Sequence, residues 1–191
     1  SKPEKLAKLR PAFDKKHGTL TAANSSFLSD GSAVCLIMTE SKAKELNLTP
    51  KAEIIDYCFT GQRLEDELLL GPAFAMSKVL KKTKMNLSDI DVFEIHEAFA
   101  GQVLTNIKCL KDEAFCKSRL EREKAVGEID MEKVNNWGGS LSIGHPFGAT
   151  GARLLTTAAN RLIEGNGKYA MLSACAAGAH GHAMIIKKYE A

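Results

Sequence analysis

A glycine-rich loop around His145 contains the residue types that most strongly suggest chemistry. The run 135–151 places five glycines around this histidine, which is followed by Pro146. Glycine allows close backbone approach and proline fixes φ, so such a loop holds the imidazole in one place. The run leads into a predicted helix over 152–164, and a helix N-terminus favours negative charge. The pattern therefore predicts a site where negative charge develops.

Two further loops carry imidazole and thiol groups. His96 and Glu97 follow a predicted strand, and a run of small residues extends from Cys175 to His182. A cysteine and a histidine brought together suggest thiolate chemistry, because a nearby imidazole favours the charged pair. The small residues after Cys175 leave backbone N–H groups open to a ligand, as an oxyanion hole requires.

Each of these residues also has a structural interpretation. Cys175 alone is more typical of a buried thiol at a strand end, and His96 alone of a hydrogen-bonded polar side chain. Glu97 is most simply a carboxylate that accepts hydrogen bonds from N–H groups of nearby loops. Only their joint occurrence favours a site. By itself, the residue pattern indicates no more than a thiol and imidazole site in an α/β domain.

Short strands and helices alternate along the chain and would position these loops. We expect strands at 33–38, 52–59, 92–95, 169–174 and 183–189, and helices at 41–48, from 71 onward, at 99–110 and at 152–164. This alternation predicts an α/β fold with a mixed β-sheet covered by helices on both faces, and with an antiparallel hairpin at its end. Functional residues of such a sheet gather at strand ends and in the following loops.

Composition disfavours several classes of protein. With 191 residues, 45% of them hydrophobic, the chain is one ordinary domain or part of a larger protein. A net charge of +3 without a dense basic block disfavours nucleic-acid binding. The five cysteines form no C-x-x-C pair and no zinc-ligand spacing, so we expect no metal and a reducing compartment. We find no run of transmembrane length and no targeting peptide at residue 1, and we expect a piece of a longer protein.

Together the loops resemble those of the thiolase family. The run 135–151 is similar to the thiolase signature Asn-x-x-Gly-Gly…Gly-His-Pro-x-Gly-x-Thr-Gly, and 175–181 to the family loop Cys-x-Gly-Gly-Gly-x-Gly. Residues 96–100 resemble the motif Asn-Glu-Ala-Phe-Ala, 21–31 the segment that joins the two thiolase halves, and 71–73 a further motif. The resemblance covers nearly the whole chain and implies the thiolase fold.

Three sequence features make the chain resemble one branch of the thiolase family. His96 in place of Asn, the run Ala-Asn-Ser-Ser-Phe-Leu and a charged insertion at about 104–134 resemble the thiolase (β) subunits of mitochondrial trifunctional complexes of fatty-acid β-oxidation. This resemblance implies a mitochondrial location, a homodimer and an α subunit as partner. It also implies coenzyme A and acyl-CoA as substrates, without a permanently bound cofactor. Residues 1–27 would be the tail of an N-terminal half, and residues 28–191 the C-terminal thiolase domain.

The resemblance further implies a two-step acyl transfer. A nucleophilic cysteine takes the acyl group of a 3-ketoacyl-CoA and releases acetyl-CoA, and coenzyme A then accepts the shortened acyl group. By motif position, Cys175 is the acid/base thiol, and His145 activates the nucleophile and donates to the thioester oxygen. His96 stands where the family Asn holds a water that completes this oxyanion hole. The backbone N–H of Ala177 donates a hydrogen bond in a second oxyanion hole, and such holes need preorganised donors and not a metal.

Some positions depart from the family pattern. Ala177 and Ala179 replace family glycines, which keeps the N–H groups but strains any residue that needs a positive φ. His96 is bulkier than Asn, so it either holds the water or reaches the substrate through its own nitrogen. Ser26 matches a residue that contacts the pantetheine arm of coenzyme A, and Phe99 one that lines its tunnel.

The family nucleophile has no counterpart in this sequence. It lies in the N-terminal half of thiolases, whereas the other cysteines here occur in plain strand or helix contexts: Cys35, Cys58, Cys109 and Cys116. We therefore expect no thiolase turnover from this chain alone.

The insertion at 104–134 has two interpretations. Its apolar stripe of Leu104, Ile107, Leu110 and Phe115 fits an ordinary helix that packs on its own domain. The same stripe, beside dense charge, also fits a contact with a partner subunit or a membrane surface.

Other classes of function stay open from sequence. A ketoacyl synthase shares the fold, but its chemistry relies on paired histidines, and Cys175 argues against it. An independent Cys–His hydrolase would be acylated on Cys175 itself. A non-catalytic protein that binds coenzyme A would show binding without turnover.

Overall fold

The computed structural model describes residues 2–190. The strands are β1 (Ala52–Gly61), β2 (Val92–Ile95), β3 (Tyr169–Ala176) and β4 (His180–Lys188). The helices are α1 (Pro3–Leu6), α2 (Glu40–Glu45), α3 (Leu64–Glu67), α4 (Gly71–Thr83), α5 (Ala100–Lys111), α6 (Glu113–Arg119), α7 (Ser140–Ile143) and α8 (Thr150–Glu164). Single 3-10 turns lie at Leu87–Asp89 and Met131–Lys133.

The four strands form one mixed sheet in the order β1-β4-β3-β2. β2 and β3 are parallel, with Ile95 opposite Ser173, and the other pairs are antiparallel. The predicted hairpin is confirmed, but its turn spans only 177–179 because β3 and β4 remain paired as far as Ala176 and His180. The carboxyl ends of β2 and β3 therefore meet at one edge of the sheet, which brings the loops that follow them together.

Helices cover both faces of the sheet, as the alternation of elements predicts. Helix α4 begins at Gly71-Pro72, and its Met76 and Val79 are fully buried in the core that it shares with α5. Helix α8 lies on the opposite face, where Ala158 and Leu162 are fully buried against β2, β3 and β4. The predicted fold class, a mixed sheet between helical layers, is confirmed.

The predicted strand at 33–38 is wrong. Within residues 2–190 this segment pairs with no strand, and Val34, Leu36 and Ile37 are 85%, 76% and 65% exposed. Apolar, β-branched runs are typical of strands, but a strand forms only where its N–H and C=O groups find a neighbour. Helix α2 also begins earlier than predicted, because the Thr39 hydroxyl accepts a hydrogen bond from the N–H of Lys42 (3.3 Å).

The insertion packs mostly against its own domain. Of the four residues in the predicted apolar stripe, Leu110 is fully buried, while Ile107 and Phe115 pack against the same core. The ring of Phe115 meets that of Phe74 edge to face, with 6.0 Å between centroids. Only Leu104 is largely exposed, at 57%. This packing favours the ordinary-helix interpretation. No helix in the described part of the chain is long and apolar enough to cross a bilayer.

Candidate active site

His96 and His145 lie against each other. His96 directly follows β2, and its backbone N–H donates to the carbonyl of Ser173 on β3 (2.8 Å). His145 comes from the glycine-rich loop before α8, and the two ring centroids are 3.9 Å apart with planes 33° from parallel. Only 2% of His96 is exposed. The structure thus brings together two of the histidines singled out from sequence.

Cys175 lies at the same edge of the sheet. It is two residues beyond Ser173, the residue that accepts the hydrogen bond from the His96 backbone, and it is buried opposite Gly181 of β4. Its thiol makes no hydrogen bond to either imidazole within residues 2–190. The edge therefore collects the three predicted side chains without joining the thiol directly to a histidine.

Burial keeps the His96 and His145 imidazoles and the Cys175 thiol neutral. It lowers the pKa of His96 to about 3, with help from the nearby His145 and Arg153, and it also lowers the pKa of His145. Burial raises the pKa of the Cys175 thiol to about 11. Desolvation thus favours the uncharged form of each group. The thiolate and imidazolium pair expected from sequence is therefore not favoured at Cys175, whose thiol is protonated at neutral pH.

Glu97 has the structural role that its simplest interpretation predicts. Its Oε1 accepts a hydrogen bond from Asn135 Nδ2 (2.6 Å), and its Oε2 accepts one from the backbone N–H of Leu141 (3.0 Å). Gly139 lies so close to the carboxylate that a Cβ there would overlap it. Glu97 therefore ties the glycine-rich loop to the end of β2, which explains how His145 reaches His96.

Thr150 orients the ring of His145. The Thr150 Oγ1 lies 2.6 Å from His145 Nδ1, and the same hydroxyl donates to the carbonyl of Pro146 (3.1 Å). Because its own proton has an acceptor, Thr150 can accept from Nδ1–H. This tautomer leaves Nε2 of His145 without a proton, as a general base requires.

The hairpin turn offers a free backbone donor. Ala177 is exposed, and its N–H makes no turn or loop hydrogen bond to another described residue. Its φ is not positive, whereas Gly178 and Ala179 have φ values of 83° and 57°. The replacement of a family glycine is therefore tolerated at Ala177 and strained at Ala179.

The two residues predicted to contact coenzyme A lie beside this site. The Ser26 N–H donates to the carbonyl of Ala98 (2.9 Å), and Ser25 forms an isolated β-bridge with Phe99. The ring of Phe99 meets that of Phe13 edge to face at 6.0 Å. The segment around Ser26 is thus held against the loop that carries His96.

Sequence reasoning missed three residues around the histidines. Thr150 lies inside the recognised loop, so its spacing from His145 was an available signal. Ser140, which contacts His96, and Arg153 on α8 carry no comparable local signal.

The three guanidinium nitrogens of Arg153 are inaccessible, and none has a hydrogen-bond partner within residues 2–190. Its charge opposes protonation of both histidines.

Comparisons with known families and proteins agree with this geometry. A model of the thiolase C-terminal domain matches residues 48–112 and 110–188, and one of the thiolase N-terminal domain matches residues 1–41. A probable 3-ketoacyl-CoA thiolase of Caenorhabditis elegans is 54% identical over 97% of this chain and 42% of its own length. The mitochondrial trifunctional enzyme subunit beta of Homo sapiens is 53% identical over 97% of this chain and 39% of its own length.

Solved structures show the same fold. The acetyl-CoA acetyltransferase of Bacillus anthracis superposes with a TM-score of 0.83 at 39% identity, over 97% of this chain and 42% of that one. Human mitochondrial 3-ketoacyl-CoA thiolase in complex with CoA gives a TM-score of 0.81 at 33% identity, over 100% of this chain and 43% of that one. The chain thus spans about two fifths of the length of these relatives. It belongs to the thiolase family.

Proposed function

We propose that this chain forms the C-terminal part of a 3-ketoacyl-CoA thiolase of fatty-acid β-oxidation, which cleaves 3-ketoacyl-CoA with coenzyme A. The observation that carries the proposal is the buried Cys175 thiol at the end of the sheet where His96 and His145 lie against each other. A pair of histidines alone also fits a ketoacyl synthase, and Cys175 argues against that alternative. The relatives of this chain include 3-ketoacyl-CoA thiolases, and one structural neighbour is a complex with CoA.

In the proposed first step, a cysteine outside this chain attacks the 3-keto carbonyl. Nε2 of His145 accepts the proton of that thiol, and the resulting N–H then donates to the thioester oxygen of acetyl-CoA, on which negative charge develops. The bond between the acyl carbon and the acetyl-CoA carbon breaks. Cys175 donates its proton to the departing carbanion, for which a neutral, buried thiol is the required form.

In the second step, coenzyme A accepts the acyl group. The Cys175 thiolate left by the first step takes the proton of the coenzyme A thiol, which attacks the thioester. The enzyme cysteine leaves as a thiolate and takes its proton back from His145. The exposed N–H of Ala177 is suited to stabilise the negative charge that develops on the acyl carbonyl oxygen during this attack. One such donor lowers the activation barrier by about 3–4 kcal/mol. Ser26 and Phe99 would contact the pantetheine arm.

The other cysteines do not suit the nucleophile. Cys58 and Cys116 are buried, and their thiols donate to the backbone carbonyls of Ala75 and of Cys109 and Leu110. Cys35 donates to the carbonyl of Ala152, and burial raises the pKa of the Cys109 thiol. We therefore propose that the nucleophile lies in the N-terminal half of a thiolase, and that this chain alone has no turnover.

Acyl trapping tests the proposal. The longer protein that contains this chain is incubated with a 3-ketoacyl-CoA without free coenzyme A, digested, and analysed by mass spectrometry. We expect the acyl group on a cysteine outside the 191 residues, and release of shortened acyl-CoA when coenzyme A is added. Cys175→Ala should reduce turnover by about 10²–10⁴-fold.

Other results of this experiment favour the alternatives. An acyl group on Cys175 would indicate a Cys–His hydrolase, although the raised pKa of this thiol argues against it as a nucleophile. Binding of coenzyme A without acylation would indicate a non-catalytic scaffold. Thiolysis by the isolated 191-residue chain would contradict the proposed external nucleophile.

The assembly and location are also proposals by resemblance. The similarity to mitochondrial trifunctional enzyme β subunits supports a mitochondrial protein with an α subunit as partner. We further propose a homodimer, an association with a membrane surface, and a boundary near residue 28 between the two thiolase halves.

A further inference from the structure

Ser140 contacts the ring of His96 from inside the glycine-rich loop. It is the first residue of α7 and is fully buried, and its Oγ lies 2.8 Å from His96 Nδ1. This contact joins two residues that are 44 positions apart in the sequence. His96 Nε2, on the other side of the ring, has no hydrogen-bond partner within residues 2–190 and is not among the inaccessible polar atoms.

The surroundings of Ser140 decide the direction of this hydrogen bond. Nδ1 of His96 is the only polar atom that its hydroxyl reaches among the described residues. If the ring donated to Ser140, the buried hydroxyl proton would have no acceptor, which is unfavourable. Thr150 differs because its hydroxyl has the carbonyl of Pro146 as an acceptor. Ser140 therefore donates and Nδ1 of His96 accepts.

We propose that Ser140 is a positioning residue that holds His96 with its proton on Nε2, so that His96 is a hydrogen-bond donor beside His145, whose Nε2 is bare. The two stacked rings then have opposite functions, set by two hydroxyl groups of one loop. The catalytic consequence rests on the proposed function: the Nε2–H of His96 donates directly to the thioester oxygen, without an intervening water.

The neutral state of His96 makes the tautomer decisive. A protonated ring would carry both N–H groups, but burial, His145 and Arg153 keep the ring uncharged. A neutral imidazole carries one proton, and the partner of one nitrogen determines which nitrogen carries it. No acidic side chain donates or accepts a hydrogen bond at the ring among residues 2–190.

Nitrogen NMR of the protein labelled with 15N-histidine tests the tautomer without any assay of activity. The signals of His96 are assigned by their loss in His96→Asn. We expect a pyrrole-type shift at Nε2 and a pyridine-type shift at Nδ1 of His96 in the unliganded protein. The reverse pattern, or a signal averaged between the tautomers, would overturn the proposal even if the protein is a thiolase.

Variants of Ser140 test its role in catalysis. In the longer protein that contains this chain, Ser140→Ala should shift His96 toward the other tautomer and lower kcat by about five- to tenfold, the factor that corresponds to one ordinary hydrogen bond. Ser140→Thr keeps the hydroxyl and should restore the wild-type NMR pattern and most of kcat. Ser142→Ala is the matched control, because Ser142 lies in the same helix and its hydroxyl bonds to the carbonyl of Gly139.

A double-mutant cycle separates this role from a merely structural one. If Ser140 acts through His96, Ser140→Ala should have no further effect on kcat in the His96→Asn background. An unchanged effect in that background, or an unchanged tautomer in Ser140→Ala, would contradict the positioning role. A protein without thiolase activity would leave the NMR result intact, so the two proposals fail separately.

Discussion

At the scale of the residue, the candidate site depends on desolvation. His96, His145 and Cys175 are each uncharged at neutral pH because burial disfavours their charged forms. Hydroxyl groups of the glycine-rich loop then orient the neutral rings. The site is therefore suited to proton transfer and hydrogen-bond donation, in which neutral groups become charged only during a reaction.

The lowered pKa of His96 predicts a loss of stability in acid. Its pKa is about 3 in the folded chain against 6.5 for the unperturbed group. Between these values the unfolded state binds a proton that the folded state does not, so stability falls as pH decreases from 6.5 toward 3. The slope contributed by this residue reaches about 1.4 kcal/mol per pH unit. Urea unfolding at several pH values measures it.

His96→Asn provides the control for this prediction. Asn does not titrate, so the variant should lose this part of the slope, whereas other groups continue to contribute. An identical pH dependence in the two proteins would mean that His96 titrates normally in the folded chain.

At the scale of the element, close contacts and one buried ion pair hold the layers together. Gly71 at the start of α4 meets Gly181 of β4, so the backbones of a helix and a strand touch beside the candidate site. On the other face, Arg161 of α8 donates to Glu94 of β2 (2.6 Å), and only 6% and 0% of the two side chains are exposed. These contacts fix the strands whose ends carry Cys175 and His96.

Gly181→Ala should separate α4 from β4. A Cβ at this position would overlap the backbone of Gly71, which cannot move as a flexible side chain does. We expect a loss of about 1–3 kcal/mol in the free energy of unfolding, or failure to fold. Gly61→Ala in β1 is the matched control, since nothing lies within 4 Å of the added Cβ. Equal stability of the two variants would show that α4 does not pack on β4 in this way.

Arg161→Met should leave Glu94 buried without its partner. Burial already raises the pKa of Glu94 despite the nearby guanidinium, so the carboxyl should take up a proton in the variant. Breaking such a pair costs about 3–5 kcal/mol. Lys117→Met, which removes an exposed pair with Glu113, should change the free energy of unfolding by less than about 1 kcal/mol. Chemical denaturation measures the free energy of unfolding of both variants. Similar losses in Arg161→Met and Lys117→Met would argue against a buried pair of Arg161 and Glu94.

At the scale of the whole molecule, the described chain leaves one segment without its partner. Residues 33–38 are apolar yet form no strand, and they lie inside the match to the thiolase N-terminal domain at 1–41. Contiguous exposed apolar groups indicate a surface that another part of a protein covers.

Limited proteolysis should detect this exposed segment. In the isolated chain we expect early cleavage within 31–39, because the backbone of this segment is not held in a ladder, while β1 to β4 remain intact. In a longer protein that contains the N-terminal half, cleavage there should be at least about tenfold slower. Mass spectrometry of the fragments identifies the sites. Equal cleavage rates would mean that the N-terminal half does not cover this segment.

The sequence by itself determined much of the fold and the identity of the family. The alternation of apolar runs and turn residues predicted the mixed sheet, the start of α4 at Gly71 and the final hairpin, because these follow from local conformational preferences. The motifs around His145 and Cys175 indicated the thiolase family. The structural role of Glu97 also agrees with its simplest interpretation, a carboxylate that accepts hydrogen bonds from a nearby loop.

Only the tertiary structure decided how the candidate site is assembled. The stacking of His96 on His145, the donation from Ser140 and the neutrality of the Cys175 thiol depend on burial and on contacts between distant segments. Partners at a distance also explain why the predicted strand at 33–38 is wrong, since this segment lacks a neighbouring strand. They favour one of the two interpretations of the insertion, because most of its apolar stripe packs in the core of its own domain. Local sequence sets the preference of a segment, but the neighbours that satisfy its hydrogen bonds and bury its side chains determine its state.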